Sequence, residues 1–235
     1  MDWMDILVDL DGTLLDPKPG ILGSIQYALR CLGAPVPPID DLAWAIGPPL
    51  RTTFPRLLGG PNRAEEAVAL YRENYRNGAM YDAVVYPGIP QALETLAAAG
   101  CRLIVATAKP HFYARPILDH FDLSHHFAAI HGPELDGTND NKADLIAHIV
   151  ERHRLDTTAT IMMGDREHDV IAAAANSMRT VAVTWGYGST DELSAAGAAA
   201  LCPSPQHLAQ TALDLLGSLG KFARKTTLPV QLSHR

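Results

Sequence analysis

The chain has 235 residues, 47% of them hydrophobic and 19% charged, with a formal net charge of −7. That length admits one large α/β domain or a domain with a substantial insert, and the composition is that of a soluble globular protein rather than a disordered one. An acidic chain lacks the clustered Lys and Arg that a nucleic-acid backbone or an anionic membrane surface demands, so neither is an expected partner.

An apolar run from Asp5 to Asp9 reads as a strand and gives way to Asp9-Leu10-Asp11-Gly12-Thr13. Alternate side chains of an extended chain share a face, so Asp9 and Asp11 start on one side, and Gly12 permits the turn that decides what they surround. Pro17 to Asp82 then carries helical patterns: Ile21, Ile25, Ala28, Leu29 and Leu32 within Gly20 to Gly33, then Asp41 to Ala45, Leu50 to Leu58 and Ala64 to Arg76. This segment reads as a small helical second domain over 17–82, inserted into a core of 1–16 and 83–216. The chain re-enters the core at Tyr86-Pro87-Gly88, and Pro90 to Ala99 forms a crossover helix that Gly100 ends.

Further β-like runs follow at Arg102 to Thr107, Thr160 to Met163 and Thr180 to Trp185, separated by helical or alanine-rich stretches. The alternation predicts an α/β fold, a Rossmann-like parallel sheet wrapped by helices. Ligands of such sheets sit beyond the carboxyl ends of the strands, where Asp9, Thr107 and Asp165 fall. Residues 217–235 lose helical periodicity, gather Lys221, Arg224, Lys225, His234 and Arg235, and read as a flexible basic tail.

Cys31, Cys101 and Cys202 lie far apart with no C-x-x-C, so neither a disulfide framework nor a zinc site is indicated. No stretch reaches the roughly 20 apolar residues of a membrane span, and the acidic start Met1-Asp2-Trp3-Met4-Asp5 lacks the basic head of a signal peptide. A cytoplasmic location is expected.

Paired carboxylates at a strand end suit phosphate chemistry when Mg2+ lies beside them: one attacks phosphorus, and the other gives and takes protons at the bridging oxygen. Asp11 needs its proton for the first step, which a neighbouring carboxylate favours and a metal or lysine opposes. Taken alone, D-x-D-G fits an acidic turn equally well. Thr107 alone is an ordinary strand-end hydroxyl, Lys142 alone a solvated lysine, and Asp165 and Asp169 fit a helix cap as well as a metal site. His120, His125 and His126 cluster without a Cys or H-E-x-x-H partner, so surface or packing roles are expected of them.

The four segments in order are Asp9-Leu10-Asp11-Gly12-Thr13, Val105-Ala106-Thr107-Ala108-Lys109, Lys142, and Gly164-Asp165-Arg166-Glu167-His168-Asp169. Together they resemble the haloacid dehalogenase superfamily of phosphatases. The resemblance implies that Asp9 is the nucleophile and Asp11 the acid/base. It implies Mg2+ held by the Asp9 side chain, the Asp11 carbonyl and Asp165, with Asp169 outside or behind them. Thr107, Gly12 and the amide of Ala108 would surround the phosphoryl group, and Lys142 would neutralise charge. The insert is similar to the C1 cap that selects the leaving group. Gly47-Pro48-Pro49-Leu50-Arg51, the Tyr86-Pro87-Gly88 re-entry and Trp185-Gly186-Tyr187-Gly188 look like the phosphoglycolate phosphatase branch and the related bacterial 5′-nucleotidases. A small phosphorylated metabolite is the implied substrate, and Arg51 is either its anion contact or a solvated helix arginine.

One departure stands out: Val170 to Ser177 reads V-I-A-A-A-A-N-S, where relatives place glycine at one or two positions. Sugar phosphomutase activity and a non-catalytic binding module are the alternatives. Dehalogenation is disfavoured by Asp11.

Overall fold

A computed structural model describes residues 4–226. In chain order its elements are β1 (Met4–Val8), β2 (Leu15–Asp16), α1 (Lys18–Cys31), α2 (Leu50–Leu58), α3 (Ala64–Arg76), β3 (Val84–Val85), α4 (Ile89–Ala98) and β4 (Cys101–Ala106). They continue through α5 (His111–His120), β5 (Ala129–His131), α6 (Lys142–His153), β6 (Ile161–Gly164), α7 (Glu167–Ala175), β7 (Arg179–Val183), α8 (Thr190–Ala195), β8 (Ala200–Cys202) and α9 (Pro205–Thr226).

The apolar strand runs have a simple consequence. Ile6 and Val8 point into one core layer with Leu93, Leu96 and Leu208, whereas Leu7 between them points into a second layer with Ile146, Ile149 and Ala173. A strand buried on both faces cannot alternate polar with apolar residues, which is why these runs are continuous. The result is a six-stranded parallel sheet in the order β5-β4-β1-β6-β7-β8, with β1 central. The expected α/β architecture is therefore observed. The short strands β5 and β8 were not legible from the sequence, because three residues such as Ala129-Ile130-His131 are too few to display a period.

The two crossings into and out of the helical insert lie side by side. Leu15 pairs with Val85 and Asp16 with Val84 in a short antiparallel ribbon. Inside the insert, α1 packs on α3 and on a 3-10 turn over Ile39–Ala45, while α2 packs on α3. Its apolar interior, including Ile25, Leu29, Leu42, Phe54 and Val68, is continuous with the Ile6 and Val8 face of the sheet. No described helix is long and apolar enough to cross a membrane, and all three cysteines are free.

The expected tail is corrected over its first part. Helix α9 continues through Gly217 to Thr226, because Ala212, Leu215, Leu216 and Leu219 keep one apolar stripe against the core on both sides of that glycine. A single interior glycine costs only about 1 kcal/mol of helix propensity and does not stop a helix held by packing. Residues 227–235 lie outside the described residues.

The glycine-free stretch after Asp169 finds its own solution. The Asn176 side-chain amide donates to the carbonyls of Ala172 and Ala143, at 2.9 and 3.0 Å, joining α7 to α6. Ser177 then takes the left-handed conformation, φ 60°, that glycine adopts without a Cβ penalty. Ser177→Gly is expected to stabilise the protein by up to about 1 kcal/mol, read as a higher denaturant midpoint at unchanged slope; a loss of stability would contradict strain at this position.

Candidate active site

The carboxyl ends of the central strands carry the polar groups. Asp9 follows β1 directly, and its amide donates to the Met163 carbonyl on β6 at 2.9 Å, so the ladder fixes where its side chain emerges. Gly12 turns the chain at φ 84°. A Cβ there would fall 2.1 Å from Asp165 Oδ2, so glycine is required both for the turn and for the close approach of the two loops. The loop after β7 closes over the same point: the Tyr187 amide donates to Asp165 Oδ2 at 2.8 Å, Trp185 Nε1 to the Thr13 carbonyl at 3.2 Å, and the Tyr187 hydroxyl to Asp16.

Lys142 is the first residue of α6. Asn141 fixes that helix start, its Oδ1 accepting the Ala143 amide at 2.8 Å. From there Lys142 reaches Asp9 Oδ1 at 2.8 Å and also pairs with Asp169. Asp169 does two jobs: Oδ2 accepts the Arg166 amide at 3.0 Å and caps α7, while Oδ1 faces Lys142. The cap and the charged site share one side chain.

Asp9, Asp165 and Asp169 are all buried, and each offers an oxygen within 4.8 Å of the others. Burial, opposed by Lys142, pushes Asp9 from 3.8 up to about 7. Burial and the charges of Asp9 and Asp169 hold Asp165 well above the carboxylate range. For Lys142, burial disfavours the ammonium, but Asp169 and Asp9 outweigh it and raise its pKa. Asp165 Oδ1 is buried without a hydrogen-bond partner, which is costly for a carboxylate unless a cation satisfies it. An all-oxygen acidic donor set with such an orphaned atom fits a hard divalent ion such as Mg2+. The side chain of Asp11 stands apart from this group.

Thr107 is buried just past β4; its amide donates to the His131 carbonyl at 3.1 Å and its Oγ1 accepts from the Lys109 amide at 3.2 Å. Asp9, Asp11, Thr107, Ala108, Lys142 and Asp169 line one cleft between the sheet and the insert. Asp165 and Gly12 do not line it. Arg51 reaches the rim of the same cleft, but its guanidinium forms a two-pronged pair with Glu65, at 2.9 and 3.4 Å.

Sequence reasoning missed three contributors. Lys109 is buried, its Nζ 2.9 Å from Asp11 Oδ2. Tyr75 reaches it from α3. Arg166 ties the insert to the core, donating to the Ile46 carbonyl at 2.7 Å while pairing with Glu192 at 3.0 Å. Lys109 had a local signal, a lysine three residues past the end of β4; its partners are distant in sequence and had none.

The haloacid dehalogenase-like hydrolase family profile matches residues 6–183. The chain belongs to that family. It is 45% identical over 192 residues to a 5′-nucleotidase of Pseudomonas aeruginosa, covering 81% of this chain and 87% of that protein. It is 43% identical over 188 residues to the tyrosine-protein kinase PtkA of Mycobacterium tuberculosis, covering 79% of this chain but only 64% of that longer protein. A predicted phosphatase from Clostridium acetobutylicum superposes with a TM-score of 0.86 at 37% identity, over 90% of this chain and 99% of that one.

The raised Asp9 value sets a pH signature. A carboxyl that binds its proton more tightly folded than unfolded makes the cation-free protein lose stability as pH rises, for Asp9 between 3.8 and about 7, and the raised Asp165 adds loss of the same sign. A divalent cation held by these carboxylates would bind their ionised form, so the rise in melting temperature on adding Mg2+ to EDTA-treated protein is expected to be larger at about pH 8 than at about pH 5. Equal shifts at both would locate the cation elsewhere.

Proposed function

We propose that this phosphatase hydrolyses a small phosphomonoester through an aspartyl-phosphate on Asp9, with Mg2+ bound by Asp9, Asp165, the Asp11 carbonyl and, directly or through water, Asp169. The bound cation would screen the approach of an anionic nucleophile to an anionic phosphate. Asp9 Oδ attacks phosphorus as the bond to the bridging oxygen breaks, and Asp11 supplies the proton that the leaving oxygen takes. Asp11 then removes a proton from water, which attacks phosphorus, breaks its bond to Asp9 and releases inorganic phosphate. Thr107 Oγ1 and the Ala108 amide are suited to the phosphoryl oxygens, whereas the Gly12 amide, expected beside them from the sequence, donates instead to the Leu15 carbonyl at 2.7 Å. Lys142 keeps Asp9 oriented and adds positive charge where phosphoryl transfer needs it. The observation that carries this reading is the contact of Lys142 with both Asp9 and Asp169 beside the partnerless Asp165 oxygen.

The insert, taken as a cap domain over 17–82, would choose the leaving group. Its side of the cleft is largely apolar and aromatic, with Ile21, Pro49, Leu50, Val68 and Tyr71, and the opposite rim adds Glu134 and Asp140. The lining guanidiniums are engaged by the protein itself, Arg51 by Glu65, Arg72 by the Leu135 carbonyl and Arg166 by Ile46 and Glu192. A wall of this kind suits an uncharged, ring-bearing leaving group, and among the described residues each lining guanidinium already has a protein partner. It favours a nucleoside 5′-monophosphate over 2-phosphoglycolate, in keeping with the 5′-nucleotidase relative.

Phosphate release from 5′-nucleotides should exceed that from 2-phosphoglycolate in kcat/KM; the reverse order would overturn the substrate reading. Asp9→Asn should lower kcat at least about a thousandfold while keeping the fold, measured as Mg2+-dependent phosphate release. Activity equal to the parent would remove Asp9 as nucleophile.

A further inference from the structure

Tyr75, Lys109 and Asp11 form a connected set that the steps above do not use in full. Lys109 is only 8% exposed. Its ammonium pairs with Asp11 Oδ2 at 2.9 Å and donates to the Tyr75 hydroxyl. Tyr75 belongs to α3 of the insert and is itself immobilised, stacked on Tyr71 at 5.3 Å between ring centroids and met edge-on by Tyr113 at 5.4 Å. The other oxygen of Asp11, Oδ1, is buried and has no partner.

A carboxyl group held by one oxygen has lost its rotation about Cβ–Cγ, so its second oxygen is left with one direction. We propose that Lys109, itself held by Tyr75, is a positioning residue that clamps Oδ2 of Asp11 and thereby aims Oδ1 at the bridging oxygen of the ester. The insert thus reaches the proton-transfer step as well as the leaving group, through a single phenol. In the step served, the proton on Oδ1 passes to the bridging oxygen as the phosphorus–oxygen bond breaks, and Oδ2 keeps its contact with the ammonium throughout. The inference rests on the reading of Asp11 as proton donor.

That step matters only when the leaving group needs a proton. A nitrophenolate departs without one, whereas an alkoxide does not. The test is kcat/KM, which reports the ester-breaking step, for 4-nitrophenyl phosphate and for an alkyl phosphomonoester, in the parent, Asp11→Asn, Lys109→Met and Tyr75→Phe. Lys109→Met is expected to lose about a hundredfold more on the alkyl ester than on the nitrophenyl ester, and Tyr75→Phe about tenfold more. Tyr75→Phe removes one hydroxyl and supplies the result if Lys109→Met fails to fold. Equal losses on the two esters, beside a leaving-group-dependent loss in Asp11→Asn, would overturn this inference and leave the proposed function standing. A parent that releases no phosphate from either ester, or an Asp11→Asn variant with no leaving-group dependence, would overturn the reading of Asp11 and the positioning role with it.

Discussion

Buried negative charge governs this molecule. Asp9, Asp165 and Asp169 are packed at the carboxyl ends of the central strands with nearly all water excluded, and a cluster of ionised carboxylates in that setting is strongly unfavourable unless cations hold it together. Lys142 supplies one positive charge, shared between Asp9 and Asp169. Hydrogen bonds from the backbone supply more: Tyr187 to Asp165, and Arg166 to Asp169. What remains is the partnerless oxygen of Asp165, and a divalent ion at that point would complete the balance. Folding the chain and preparing the site are for this reason the same problem, and the residues that solve it are fixed by loops whose geometry tolerates little change.

Those loops are held by close approach. Gly12 and Gly186 both lie so near Asp165 that a Cβ on either would overlap its carboxylate. The consequence is a floor in which the loop after β1, the loop after β6 and the loop after β7 touch one another directly. Above that floor the insert does not hang free. Its apolar interior merges with one face of the sheet, its two connections run as a paired ribbon, and Arg166, placed between Asp165 and the start of α7, bonds the carbonyl of Ile46. The residue next to a candidate metal ligand therefore also holds the loop that precedes Gly47-Pro48-Pro49. Lys109 repeats the arrangement on the other side of the cleft, joining Asp11 to Tyr75.

Some of this was legible in the residues and some was not, for identifiable reasons. β1, β4, β6 and β7 are buried on both sides, so their runs of Ile, Leu, Val and Met announce them. β5 and β8, of three residues each, carry no such signal. Charge and a glycine make 217–235 read as a basic tail, whereas over 217–226 the chain is the end of α9, which the Leu215, Leu216 and Leu219 stripe keeps on the core. Arg51 was conspicuous beside its Gly-Pro-Pro turn, yet its guanidinium is spent on Glu65, a pairing that needs two helices to be placed before it can be known.

The sequence by itself determined the elements and their order, because the period of apolar residues and the acidic strand ends are local properties of the chain. It also determined the family, since Asp9, Thr107, Lys142 and Asp165 fall in the required succession. Only the tertiary structure decided which charge meets which: that Lys142 serves Asp9 and Asp169 while Lys109 serves Asp11, and that a tyrosine of the insert reaches the second lysine. Electrostatic and hydrogen-bond partners 27 to 133 residues apart along the chain are selected by packing, and packing leaves no trace in local spacing.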